Sequence, residues 1–249
     1  MHPLLPAYLR AARAENHFAD MNALINQFLD GVGQQALRGI ELDQKTLLPN
    51  KPYEPFWPPE MAAIQAGETV QNLRSAMDYL VFELAKLDTG GVEQEGTQFP
   101  IDDSPSSFEQ HSTPLTKKGK PNRLNMLPGL SSSHIDAIEE LQPYKGTYWI
   151  RRLRDLSNLD KHRSLFHNVS AGNLRFRGYK GPRGYFDTRT GGRKFEAYGA
   201  DGEDVYVTAE PTMELFVQDG MLLVPLVPIL QELLIRIPET LEAFEPEFY

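Results

Sequence analysis

The chain has 249 residues, of which 41% are hydrophobic, 24% charged and 10% aromatic, with a formal net charge of -9 and no cysteine. This is the profile of a globular chain with a sizeable core, and it excludes a disordered or fibrous protein; its apolar runs stop well short of the roughly 18 residues a membrane helix needs. The missing cysteines exclude disulfides, zinc–thiolate sites, iron–sulfur clusters and thiol nucleophiles.

The opening MHPLLPAYLRAARAENHF has no basic start followed by an apolar block, so no secretory signal is read and the expected location is the cytoplasm. Apolar residues at three- and four-residue intervals predict a first helix over 4–30, stopped by Gly31 and Gly33. Residues 36–49 alternate weakly, as a short strand does, and the Pro-rich run after them is a connector. Pro58 and Pro59 suit the first turn of a second helix over 60–87, on which Ala66, Val70, Leu73, Met77, Leu80 and Leu84 fall on one face. Residues 88–130, rich in Gly, Pro and Ser and carrying the basic run KKGKPNR at 117–123, read as a long excursion over the surface.

Ser131–Ser133 offer an N-cap for a short helix over 131–142. The next helix, over 147–166, has an apolar arc of Trp149, Ile150, Leu153, Leu156 and Leu159. From Ala171 to Val224 short aromatic and β-branched runs alternate with Gly-rich turns, the pattern of antiparallel hairpins, with QDGM as the clearest turn. A last helix over 226–245 closes the chain, with Pro238 expected to kink it.

Charge is segregated along the chain. Residues 145–194 hold 13 basic and 3 acidic side chains, and residues 195–249 hold 1 basic and 12 acidic ones. Such asymmetry marks either a face for polyanions or two segments that lie against each other.

The densest polar cluster is RRLRDLSNLDKHR, residues 151–163. On a helix, Arg151, Asp155, Asn158 and His162 form one stripe. The stripe suits acid–base chemistry, with His162 as general base or acid, Asp155 orienting it, and Arg151 holding a phosphate; it is also what a solvated helix face displays. Asp160 and Arg163 fall inside the apolar arc, where burial demands a partner. Arg74 and Asp78, four residues apart on the margin of the second helix's buried face, form with Asp160 and Arg163 a candidate structural network that would pin two helices in register. Signatures for nucleotide cradles and for a Gly-x-Ser-x-Gly nucleophile are missing, and no Glu-x-x-His pair is found. His134 with Asp136, and Glu15 with His17, are two residues apart and point to different helix faces, so neither a metal site nor a cofactor is expected.

Taken in order over about residues 60–170, the blocks AGETVQNLRSAMDYLV, TQFPI, LPGL, IEELQPY and LSNLDKHRSL resemble those of an uncharacterised family of bacterial proteins. The helical core is similar to HEPN domains, helical bundles that are often metal-independent endoribonucleases of toxin and antiviral systems. This resemblance implies that Arg154 or Arg151 is the phosphate-contacting arginine, Asp155 the polar residue and His162 the catalytic histidine, placed across a symmetric homodimer. Seven residues lie between Arg154 and His162, a longer spacing than the HEPN pattern has. The same reading gives RNA contacts to Arg175, Arg177, Lys180, Arg183, Arg193 and Lys194, interleaved with Phe176, Tyr179 and Tyr185.

The sequence therefore predicts an α+β, mainly helical fold in a single domain over 1–249. A helical bundle is drawn from 1–170 and 225–249, and a small appended antiparallel β-sheet from the insertion 171–224. Two functions are expected of it. One is a HEPN-like, RNA-directed protein of a bacterial defence or toxin system, a candidate metal-independent endoribonuclease. The other is a non-catalytic binding or scaffold protein, its polar motifs a structural network and its hairpins and acidic tail recognising a protein partner.

Overall fold

The computed structural model describes residues 2–39, 60–115, 118–162, 168–176, 209–219 and 222–249. Among these the chain is mainly helical, with α1 (Leu5–Gly39), α2 (Glu60–Asp88), α3 (Pro105–Ser112), α4 (Ser132–Glu140), α5 (Tyr148–His162) and α6 (Leu226–Phe244). Strands β1 (Asn168–Phe176), β2 (Ala209–Asp219) and β3 (Leu222–Pro225) complete it. No described helix is long and apolar enough to cross a membrane.

The most extensive packing is between α1 and α2. The α2 stripe of Ala66, Val70, Leu73, Met77, Leu80 and Leu84 is fully buried. It meets a stripe of small residues on α1, Ala7, Ala11 and Ala14, followed by Met21 and Ile25, and alanines on both sides let the two backbones approach closely. On α5, Ile150, Leu153 and Leu156 are buried and Trp149 half-buried against the same core. The α6 residues Leu226, Ile229, Leu230, Leu233, Ile237, Leu241 and Phe244 close it from the other end of the chain. Pro238 lies inside α6, which runs unbroken from Leu226 to Phe244.

Three expectations need correction. Helix α1 runs through Gly31 and Gly33 to Gly39, so residues 36–39 are helical and not the start of a strand; 40–49 lie outside the described residues. A glycine costs a helix about 1 kcal/mol, a tax and not a stop, and good helix formers follow these two. Residues 88–130 are not simply a surface excursion, because Phe99, Ile101, Phe108 and Leu127 are buried in the common core. They include α3, whose N-cap Ser104 accepts the Ser107 N–H beside Pro105 in the first turn, a start signal present in the sequence itself. In the LPGL block Gly129 has φ +81°, and a Cβ there would come within 2.7 Å of Gln94, so only glycine fits.

The strands pair antiparallel in the order β1-β2-β3, with Asn168 opposite Phe216, an irregularity between Gly172 and Arg175, and Asp219 opposite Leu222. This unit is not an appendage, because Leu215 and Val217 of β2 are buried in the core shared with α1 and α6. The residues between β1 and β2, most of the expected hairpin insertion, lie outside the described residues. The oppositely charged segments do meet, along the β1–β2 pairing and where Arg152 of α5 pairs with Glu232 of α6 at 2.7 Å.

Candidate functional site

The sequence blocks meet around one short stretch, the irregular run QFPIDD at 98–103. Three successive carbonyls of this run each accept a hydrogen bond from a side chain on a different element. Arg74 of α2 donates to the Phe99 carbonyl. Gln142, fully buried just after α4, donates to the Pro100 carbonyl at 3.0 Å. Arg154 of α5 donates to the Ile101 carbonyl at 3.3 Å. The amides are held too. Phe99 N–H donates to Asp78 at 2.9 Å, Asp102 N–H to Gln142 Oε1 at 2.8 Å, and Gln98 N–H to the Met126 carbonyl at 2.9 Å. A strand in a sheet finds its partners in a neighbouring backbone; here four side chains, those of Arg74, Asp78, Gln142 and Arg154, and a loop carbonyl supply them.

Of the expected network, Arg74 and Asp78 do lie together, at 3.4 Å, and both bind the Phe99 peptide. Burial weakens the Arg74 guanidinium's hold on its proton and Asp78 strengthens it, with the net effect a lowered pKa at a group that stays charged. The side chain of Asp160, and all of Arg163, lie outside the described residues. Among the described residues Gln71 links α2 to α5, its amide reaching the Ser157 carbonyl at 3.5 Å.

Of the expected catalytic stripe, Arg151, Arg154 and Asp155 come together and are joined by a residue that spacing did not reveal, Asp103. Arg154 binds Asp103 and Asp155, each at 2.9 Å, and Arg151 reaches the same two carboxylates at 3.7 and 3.6 Å. Partial burial lowers the Arg154 pKa, but the two carboxylates outweigh it and hold it above its ordinary value. Asn158 is exposed one turn further on, and His162 ends α5 with its side chain outside the described residues. Arg175 stands on β1 opposite Glu210, while Arg177, Lys180, Arg183, Arg193 and Lys194 lie outside the described residues.

Two aspartate–histidine pairs were not legible from spacing. Buried Asp102 accepts from the Ser107 hydroxyl and pairs with His111 Nδ1 at 2.9 Å, tying both ends of α3 together. Asp88, at the end of α2, pairs with His134 Nδ1 at 2.7 Å across 46 residues and also accepts the Ser131 N–H at the α4 N-cap. No group of three or more His, Asp or Glu side chains suited to a metal ion occurs among the described residues.

The second pair has a pH signature. Burial raises the Asp88 carboxyl, but the Ser131 amide and His134 outweigh it and hold its pKa below the ordinary carboxylate value. A depressed carboxyl contributes stability that is complete above its unfolded-state pKa, about 4, and lost as pH falls through the folded-state value. Urea unfolding should therefore show Asp88→Asn with lower stability than wild type at pH 7 and a shallower decline below about pH 4. An acid limb unchanged by the substitution would contradict the assignment.

Comparisons of the chain with family models, curated proteins and solved structures gave no match.

Proposed function

We propose that this chain is a non-catalytic binding or scaffold protein, whose polar blocks lock a helical frame and whose antiparallel strands and acidic tail recognise a protein partner. The observation that carries this reading is the convergence of Arg74, Gln142 and Arg154 on the carbonyls of residues 99, 100 and 101. Holding a phosphate requires uncompensated positive charge. The charges of Arg151 and Arg154 are cancelled locally by Asp103 and Asp155. Arg154 is committed to a carbonyl as well, which is the work of a brace.

One observation favours a second reading, the HEPN-like, RNA-directed endoribonuclease of a bacterial defence or toxin system: Arg151 and Asn158 remain on the exposed side of α5, on the stripe that ends at His162. The two readings part in one assay, in which the protein is incubated with single-stranded RNA at low salt and in chelator, where phosphate contacts are strongest. The scaffold reading expects intact RNA with wild type and with His162→Ala. Cleavage by wild type that is lost in His162→Ala at unchanged Tm would replace it with the nuclease reading.

A further inference from the structure

Beside the braced run, a groove of about 400 Å³ opens between α1 and α2, lined by Arg10, Glu68, Asn72 and Gln98 together with the Arg74–Asp78 pair. Its size falls within the range of small-ligand sites, about 300–1,000 Å³, and its polar walls disfavour an apolar occupant.

Two charges in this groove differ from those of the brace. Among the described residues the Arg10 guanidinium has no carboxylate partner; it lies 5.8 Å from the centre of the Tyr79 ring and makes a long hydrogen bond, 3.5 Å, to Asn72 Oδ1. Asn72 is 6% exposed, and its Nδ2 donates to the Glu68 carbonyl at 2.8 Å, which turns its Oδ1 toward Arg10. The arginine is thus aimed by a buried amide and an aromatic face, and most of its donors are unused among the described residues. The Glu68 carboxylate, on the same groove, has neither a hydrogen bond nor an ion pair among the described residues. A guanidinium and a carboxylate that share a groove without pairing are complementary to a molecule carrying both opposite charges, since each can then form a charge-assisted hydrogen bond.

We propose that this groove binds a small zwitterion of the amino-acid class, its carboxylate on Arg10 and its ammonium on Glu68. The proposal does not depend on what α5 does, so it and the scaffold reading stand or fall separately.

The test is thermal-shift and calorimetric titration of the full chain with individual L-amino acids at millimolar concentration, with the N-acetylated and amidated forms of any that bind as controls. At least one amino acid should bind saturably and raise Tm, and its N-acetylated and amidated forms, each lacking one charge, should bind more weakly. Arg10→Gln and Glu68→Gln should each lower affinity about tenfold or more, the loss of one charge-assisted hydrogen bond. Glu68 is exposed and, among the described residues, its carboxylate has no partner, so its variant keeps the test decisive even where Arg10→Gln disturbs the α1–α2 contact. The proposal is overturned if no amino acid binds, if binding survives Glu68→Gln undiminished, or if acetate or methylamine alone binds as tightly as the zwitterion.

Discussion

Phe99→Ala should destabilise the protein by about 3–5 kcal/mol, the loss expected for a large aromatic removed from a close-packed core. The residue sits in an irregular segment, where a substitution is ordinarily mild, yet its side chain is fully buried. Its peptide is also the one that both Arg74 and Asp78 grip. With only alanine left, those two polar groups would hold a backbone with no apolar anchor, and the cavity would lie against the α2 stripe. Urea or thermal unfolding measures the effect. A loss under about 1 kcal/mol would mean the ring is not an anchor of the core.

Arg74→Ala should cost about 2–4 kcal/mol, somewhat less than breaking a sealed ion pair because Asp78 keeps 33% of its side-chain surface in water. The substitution strands the Phe99 carbonyl and removes the charge that Asp78 faces. Arg74→Lys, which keeps the charge but has a single donor centre, should recover only part of the loss. The two substitutions act on one peptide, so the double variant should lose less than the sum of the single ones, by at least about 0.5 kcal/mol. Strict additivity would show that Phe99 and Arg74 stabilise the fold independently, against the brace described above.

The helices were legible because burial writes itself locally. Ala66, Val70, Leu73, Met77, Leu80 and Leu84 repeat at helical spacing and are all sealed, and α5 and α6 show the same match of apolar spacing to buried face. The interruptions misled, since Gly31 and Gly33 looked like stops and helix α1 passes through both. The brace was illegible for a different reason. Its bonds run between side chain and backbone of residues 21 to 53 apart, as in Asp78 with Phe99 and Arg154 with Ile101, and no periodicity records them. What the sequence did expose was most of the blocks themselves: NLRSAMDYL, FPI and LQPY supply the brace's first arginine, its anchor and its glutamine, and the loop carbonyl is that of Met126, just before LPGL. Arg151, Arg154 and Asp155 do share one helix, but spacing gave no sign that Asp103 of the braced run pairs with both arginines.

A stretch like QFPI is the kind of segment that recruits other copies of itself. Apolar side chains and open peptide groups together make a template for intermolecular pairing. Here Gln98, Phe99 and Asp102 have their N–H groups occupied, residues 99 to 101 have their C=O groups occupied, and Pro100 has no N–H to offer. The guanidiniums that fasten the run therefore also keep it from sticking to its neighbours, and a chain that lost them would face colloidal instability as well as a weaker fold.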